Sequence, residues 1–80
     1  MTKRQPRISS LTEGEMINTA HLILRRYALG YSQRELADEI GITKDHISRI
    51  ECGRVSPRLT TIVALCRALE TEPSKVILWD

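Results

Sequence analysis

The sequence predicts an all-α fold, and three observations carry that expectation. Thr12 with Glu15 and Ser32 with Glu35 are capping boxes, in which a hydroxyl and a carboxylate three residues apart satisfy the orphan amides of a helix start. Apolar residues then recur three and four positions apart, the spacing of one buried helical face. No Phe, one Trp and two Tyr occur among the 80 residues, so the core must be aliphatic, which favours packed helices over sheets.

The elements follow in order. Residues 1–11 show no periodicity, contain Pro6 and carry Lys3, Arg4 and Arg7 without an acid, so they are expected to form a flexible basic arm ahead of one domain over 12–80. Such arms in DNA binders lie along phosphates or enter the minor groove. The first helix is expected over 13–29, from the Thr12 box to Gly30. Leu22, Arg26 and Leu29 share one face of it. A second apolar line through Ile17, Ala20, Leu24 and Tyr27, widened by Met16 and Ile23, exceeds what one core face requires and offers a surface to a partner or to the folded-back arm.

The densest signal lies in 31–53. Ser32 and Glu35 start a helix at Gln33, Leu36, Ala37 and Ile40 form its apolar face, and Gly41 stops it, since glycine takes left-handed dihedrals at no steric cost. Thr43 caps the next helix, expected over 44–52. Helices joined that tightly cross steeply, the geometry of a helix-turn-helix. In the second of them Ile47 and Ile50 oppose a side made of Lys44, Asp45, Ser48, Arg49 and Cys52. That outer side has hydrogen-bonding groups of both signs and suits base edges in a major groove, which makes Lys44, Asp45, Ser48 and Arg49 the candidate base readers. Thr43 and His46, beside that face, and Arg54 and Arg58, in the loop after Gly53, are candidates for phosphate contacts. Ile62, Leu65, Cys66 and Leu69 give the buried stripe of a fourth helix, and Pro73 suits the first turn of a last one over 73–79.

From 22 to 76 the chain resembles the phage-repressor-like helix-turn-helix family, of Cro and repressor or XRE type. The matching residues are Gly30 before Ser32-Gln33, Leu36-Ala37, Gly41, Ile47, Ile50, Glu51-Cys52-Gly53 followed by Pro57, and Leu65 with Leu69. The resemblance implies a five-helix repressor-like fold that binds double-stranded DNA, usually as a dimer, and regulates transcription. It further implies that Gln33, at a helix start where amides and dipole favour anions, clamps a phosphate. By the same resemblance Arg26 pairs with Glu51, and the last helix, through Val76, Ile77, Leu78 and Trp79, builds a homodimer interface. A two-fold dimer would set its recognition helices roughly 34 Å apart and call for a palindromic operator.

Other classes are poorly supported. The net charge of +2 says little alone, but Lys44, Arg49, Arg54 and Arg58 cluster around the proposed recognition helix while the first motif helix is acidic on balance. Glu35, Asp38 and Glu39 on that helix offer a face to a basic RNA polymerase subunit. No nucleophile with an adjacent base, phosphate loop or paired carboxylates suggests an enzyme, and His21 lacks neighbours at metal-ligand spacing, so neither cofactor nor metal is expected. Cys52 and Cys66 make no disulfide framework. With no secretory signal and no bilayer-length apolar run, a cytoplasmic protein without a membrane partner is expected. The alternative is a protein-interaction module, such as an antitoxin whose main task is binding a partner protein.

Overall fold

The computed structural model describes residues 17–77, and among them the first helix is capped by Asn18. Helix α1 runs Thr19–Ala28, and the Asn18 side chain accepts from the His21 amide at 3.0 Å. The expected unbroken helix over 13–29 is thereby corrected, since Ile17 and Asn18 are not helical, while Thr12, Glu15 and Met16 lie outside the described residues. Ile17 is extended instead of helical because it is drawn into the core against the other end of the chain. It forms an isolated antiparallel bridge with Ile77, and the Asn18 amide donates to Val76 O at 2.6 Å.

Helix α2 (Gln33–Ile40) begins with both halves of the Ser32/Glu35 box in place, the Ser32 amide donating to Glu35 at 2.8 Å and the Glu35 amide to Ser32 Oγ at 3.0 Å. It stops at Gly41, whose φ of 80° lies in the left-handed region that a Cβ disfavours. Thr43 then caps α3 (Lys44–Glu51) by accepting from the His46 amide. Only residues 41–43 separate the two helices, and this short link holds Leu36 and Ala37 of α2 against Ile47 and Ile50 of α3, all of them buried.

Helix α4 (Leu59–Ala68) buries Ile62, Leu65 and Cys66, followed by Leu69 just beyond it. Each large aliphatic chain withdrawn from water in this way contributes about 1.5–3 kcal/mol. The fifth helix, α5 (Pro73–Val76), is shorter than the 73–79 expected. It ends because Ile77 turns to extended backbone to meet Ile17, and residues 78–80 lie outside the description. Among the described residues the architecture is five helices around one aliphatic core, the expected all-α class.

Candidate nucleic-acid interface

Helix α3 divides as its sequence spacing requires. Ile47 and Ile50 are at most 2% exposed, whereas Lys44, Asp45 and Arg49 face solvent and Ser48 is half-buried. Among the described residues the outer stripe is open to solvent at Lys44, Asp45 and Arg49. Asp45 and Arg49, one turn apart on it, form an ion pair with Arg49 Nε 3.2 Å from Asp45 Oδ2. Thr43 is exposed at the start of α3 and His46 is half-buried one turn in. Arg54 and Arg58 are exposed on either side of the loop between α3 and α4. Thr43 and His46 thus stand at the start of α3, Lys44, Asp45 and Arg49 along its exposed side, and Arg54 and Arg58 beyond its other end.

The far end of α3 is bolted to α1 and α2. Arg26 donates from Nε to Glu51 Oε2 at 2.7 Å and from Nη2 to Glu51 Oε1 at 3.0 Å, and both side chains are only 8% exposed. Its remaining terminal nitrogen donates to Tyr31 O at 3.0 Å. The Glu51 hydrogen bonds raise the Arg26 pKa further above its ordinary value, so the guanidinium is charged at every relevant pH. Bidentate pairing of this kind fixes geometry as well as charge.

Gln33 completes the arrangement. Its Nε2 donates to Glu51 Oε1 at 2.9 Å, an orientation demanded by an acceptor-only carboxylate. One N–H of that amide remains for another acceptor. Gln33 is therefore held at the start of α2 by the same carboxylate that anchors α3, and the helix whose amides could meet a phosphate is locked to the helix that presents the polar stripe.

Some expected interface residues are elsewhere. Val76 is fully buried in the core of its own chain, which corrects its assignment to a dimer surface: the residue closing α5 is needed against α4. Ile77 is half-buried and engaged with Ile17, and Leu78 and Trp79 lie outside the described residues. On α1, Leu24 and Tyr27 are 66% and 68% exposed, while Ile17 of the same apolar line belongs to the core. Cys66 is buried and its thiol pKa is pushed up by desolvation, whereas Cys52 is exposed.

Sequence reasoning missed the α4 stop. Glu70 adopts a positive φ of 55°, and Arg25 reaches back to the end of that helix, donating from Nε to Leu69 O at 3.0 Å and from Nη2 to Glu70 O at 3.4 Å. His21 also bonds Thr71 Oγ1 at 2.7 Å. The available signal was a cation on α1 one position before Arg26, but its partners are backbone carbonyls that leave no mark in the sequence. An open cleft of about 460 Å³ lies beside these contacts, lined by His21, Arg25, Cys66, Arg67, Thr71 and Lys75 among others. No three His, Cys, Asp or Glu side chains among the described residues group as metal ligands, and no described helix is long and apolar enough to cross a membrane.

A family model described as Helix-turn-helix matches residues 22–76. Over 54 residues the chain is 44% identical to an uncharacterised HTH-type transcriptional regulator of Sinorhizobium fredii, a match covering 68% of this chain and 28% of that protein. Over 47 residues it is 43% identical to an uncharacterised HTH-type transcriptional regulator of Methanothermobacter thermautotrophicus, covering 59% of this chain and 68% of that one. Among solved structures it resembles the restriction-modification controller protein C.AhdI from Aeromonas hydrophila, with TM-score 0.69 and 28% identity over 79% of this chain and 93% of that one. It also shares its fold with a hypothetical transcription factor, NHTF, from Neisseria, with TM-score 0.72 and 22% identity over 98% and 87% of the two chains.

Proposed function

The chain belongs to the helix-turn-helix family of Cro/repressor (XRE) type, DNA-binding transcriptional regulators, and from that premise we propose that it acts as a homodimer whose α3 reads a palindromic operator. The observation that carries this reading is the exposed polar stripe of α3, presented by a helix whose opposite side is buried and whose end is bolted by Arg26, Glu51 and Gln33. A helix so fixed enters a major groove without first losing conformational freedom.

In this reading Lys44 and Arg49 contact guanine edges and Ser48 bonds either partner, with Asp45 beside them on the same face. Gln33, Thr43, His46, Arg54 and Arg58 hold phosphates and set the register. The two-fold contact draws on the exposed Leu24 and Tyr27 of α1 and on the end of the chain after α5. Likeness to the controller from Aeromonas over nearly its whole length supports a controller role. Exposed Glu35, Asp38 and Glu39 on α2 offer an acidic face to a basic polymerase subunit.

In vitro selection of duplexes at physiological salt, with the mass of the complex measured alongside, tests the proposal. It expects one palindromic sequence bound by two copies; enrichment of no sequence would reject it. A second reading, a module that binds another protein, is favoured by Leu24 and Tyr27 alone. Under that reading DNA affinity lacks the steep salt dependence that phosphate neutralisation brings.

A further inference from the structure

We propose that Asp45 governs operator selection through Arg49, holding its guanidinium across the outer face of α3, and does not itself touch a base. The inference rests on the DNA-reading role of α3 and specifies how that face discriminates. Arg49 Nε lies 3.2 Å from Asp45 Oδ2 on an exposed part of the helix, with the side chains 60% and 74% exposed. Acid four residues before base is the favourable order for such a pair, and Asp45 in the first turn and Arg49 in the last both suit the helix dipole. Lys44, adjacent to Asp45 in sequence and also exposed, forms no ion pair among the described residues.

The two cations therefore differ in what they offer DNA. The Lys44 ammonium is a compact point charge that meets a phosphate as readily as a guanine edge, so it contributes attraction with little preference. Arg49 already has an anionic partner, so a single phosphate oxygen competes with Asp45 for it and gains little. A guanine is different: its O6 and N7 accept two parallel bonds from the terminal guanidinium nitrogens, and these stay available while Nε faces Asp45. Asp45 is thus a positioning residue. It lowers the affinity of Arg49 for random duplex and presets the orientation that guanine requires.

A double-mutant cycle on the full chain tests this. The wild type, Asp45→Asn, Arg49→Ala and the double variant are checked for helical content by circular dichroism, then titrated at one salt concentration with the selected operator and with a scrambled duplex. Asp45→Asn should lower the operator-to-scrambled affinity ratio roughly two- to fivefold, mainly by tighter binding of the scrambled duplex, and should leave the ratio unchanged when Arg49 is already Ala. An equal change in both backgrounds means that Asp45 acts on a base or through net charge alone, and an unchanged ratio in the wild-type background means that it does nothing; either overturns the proposal. If the wild type prefers no sequence, the DNA-reading role itself fails. If it selects an operator and the cycle shows no coupling, only the role of Asp45 fails.

Discussion

Arg26 sets the cost of disturbing single residues in this protein. Its guanidinium and the Glu51 carboxylate are both withdrawn from water, so deleting either leaves the other charged and without its partner. Arg26→Ala should lower unfolding stability by about 3–5 kcal/mol in urea melts, and replacing both members with apolar residues of similar size should recover much of that loss. An unchanged urea midpoint for Arg26→Ala would show that water reaches the pair. Glu70 presents the opposite case. It holds a left-handed conformation that costs a side-chain-bearing residue about 1–2 kcal/mol, and the Arg25 bonds that help to hold it there end on backbone carbonyls. Glu70→Gly keeps those bonds and removes the strain, so the same melts should show a gain of roughly 1 kcal/mol.

At the scale of elements, the start of α2 carries a pH dependence. The Ser32 amide, and after it the Ser32 hydroxyl, hold the Glu35 carboxyl below its ordinary value of 4.5. Because the folded carboxyl is the more acidic, the unfolded chain takes up its proton first as the pH falls. The contribution of the capping box is then complete above 4.5 and is lost on acidification below it. Glu35→Gln keeps an acceptor for Ser32 but does not titrate, so the wild type should lose stability relative to that variant between pH 4.5 and more acidic solutions, measured as urea midpoints. The same box shows why α2 and α3 were legible: Ser32, Glu35, Gly41 and Thr43 act on backbone atoms within four residues of themselves, and local sequence records such contacts. The outer helices were less legible because their ends answer to distant partners. Ile17 leaves α1 for Ile77, and Ile77 leaves α5 for Ile17, a long-range exchange that no local pattern announces. The polar stripe of α3 was readable from its opposition to Ile47 and Ile50, whereas the Gln33 bond to Glu51 joins residues 18 apart and leaves no mark in local spacing.

At the scale of the whole molecule, the cations assigned to DNA divide by position. Arg49 projects from the middle of the recognition stripe, whereas Arg58 stands at the start of α4, beyond the loop. Arg49→Ala should cost about 1–3 kcal/mol at one base position, and Arg58→Ala should weaken every sequence alike and reduce the salt slope by about one. Gel shifts over a set of single-base operator variants separate the two patterns, and identical profiles would contradict the division. The bridge between Ile17 and Ile77 has a consequence of another kind. Residues facing each other across an antiparallel pair sit about 5 Å apart, so the segment 17–77 leaves its own body where it came in. A stretch with such neighbouring ends can be spliced into an exposed loop of an unrelated carrier without being pulled open, which makes this small bundle a portable cassette.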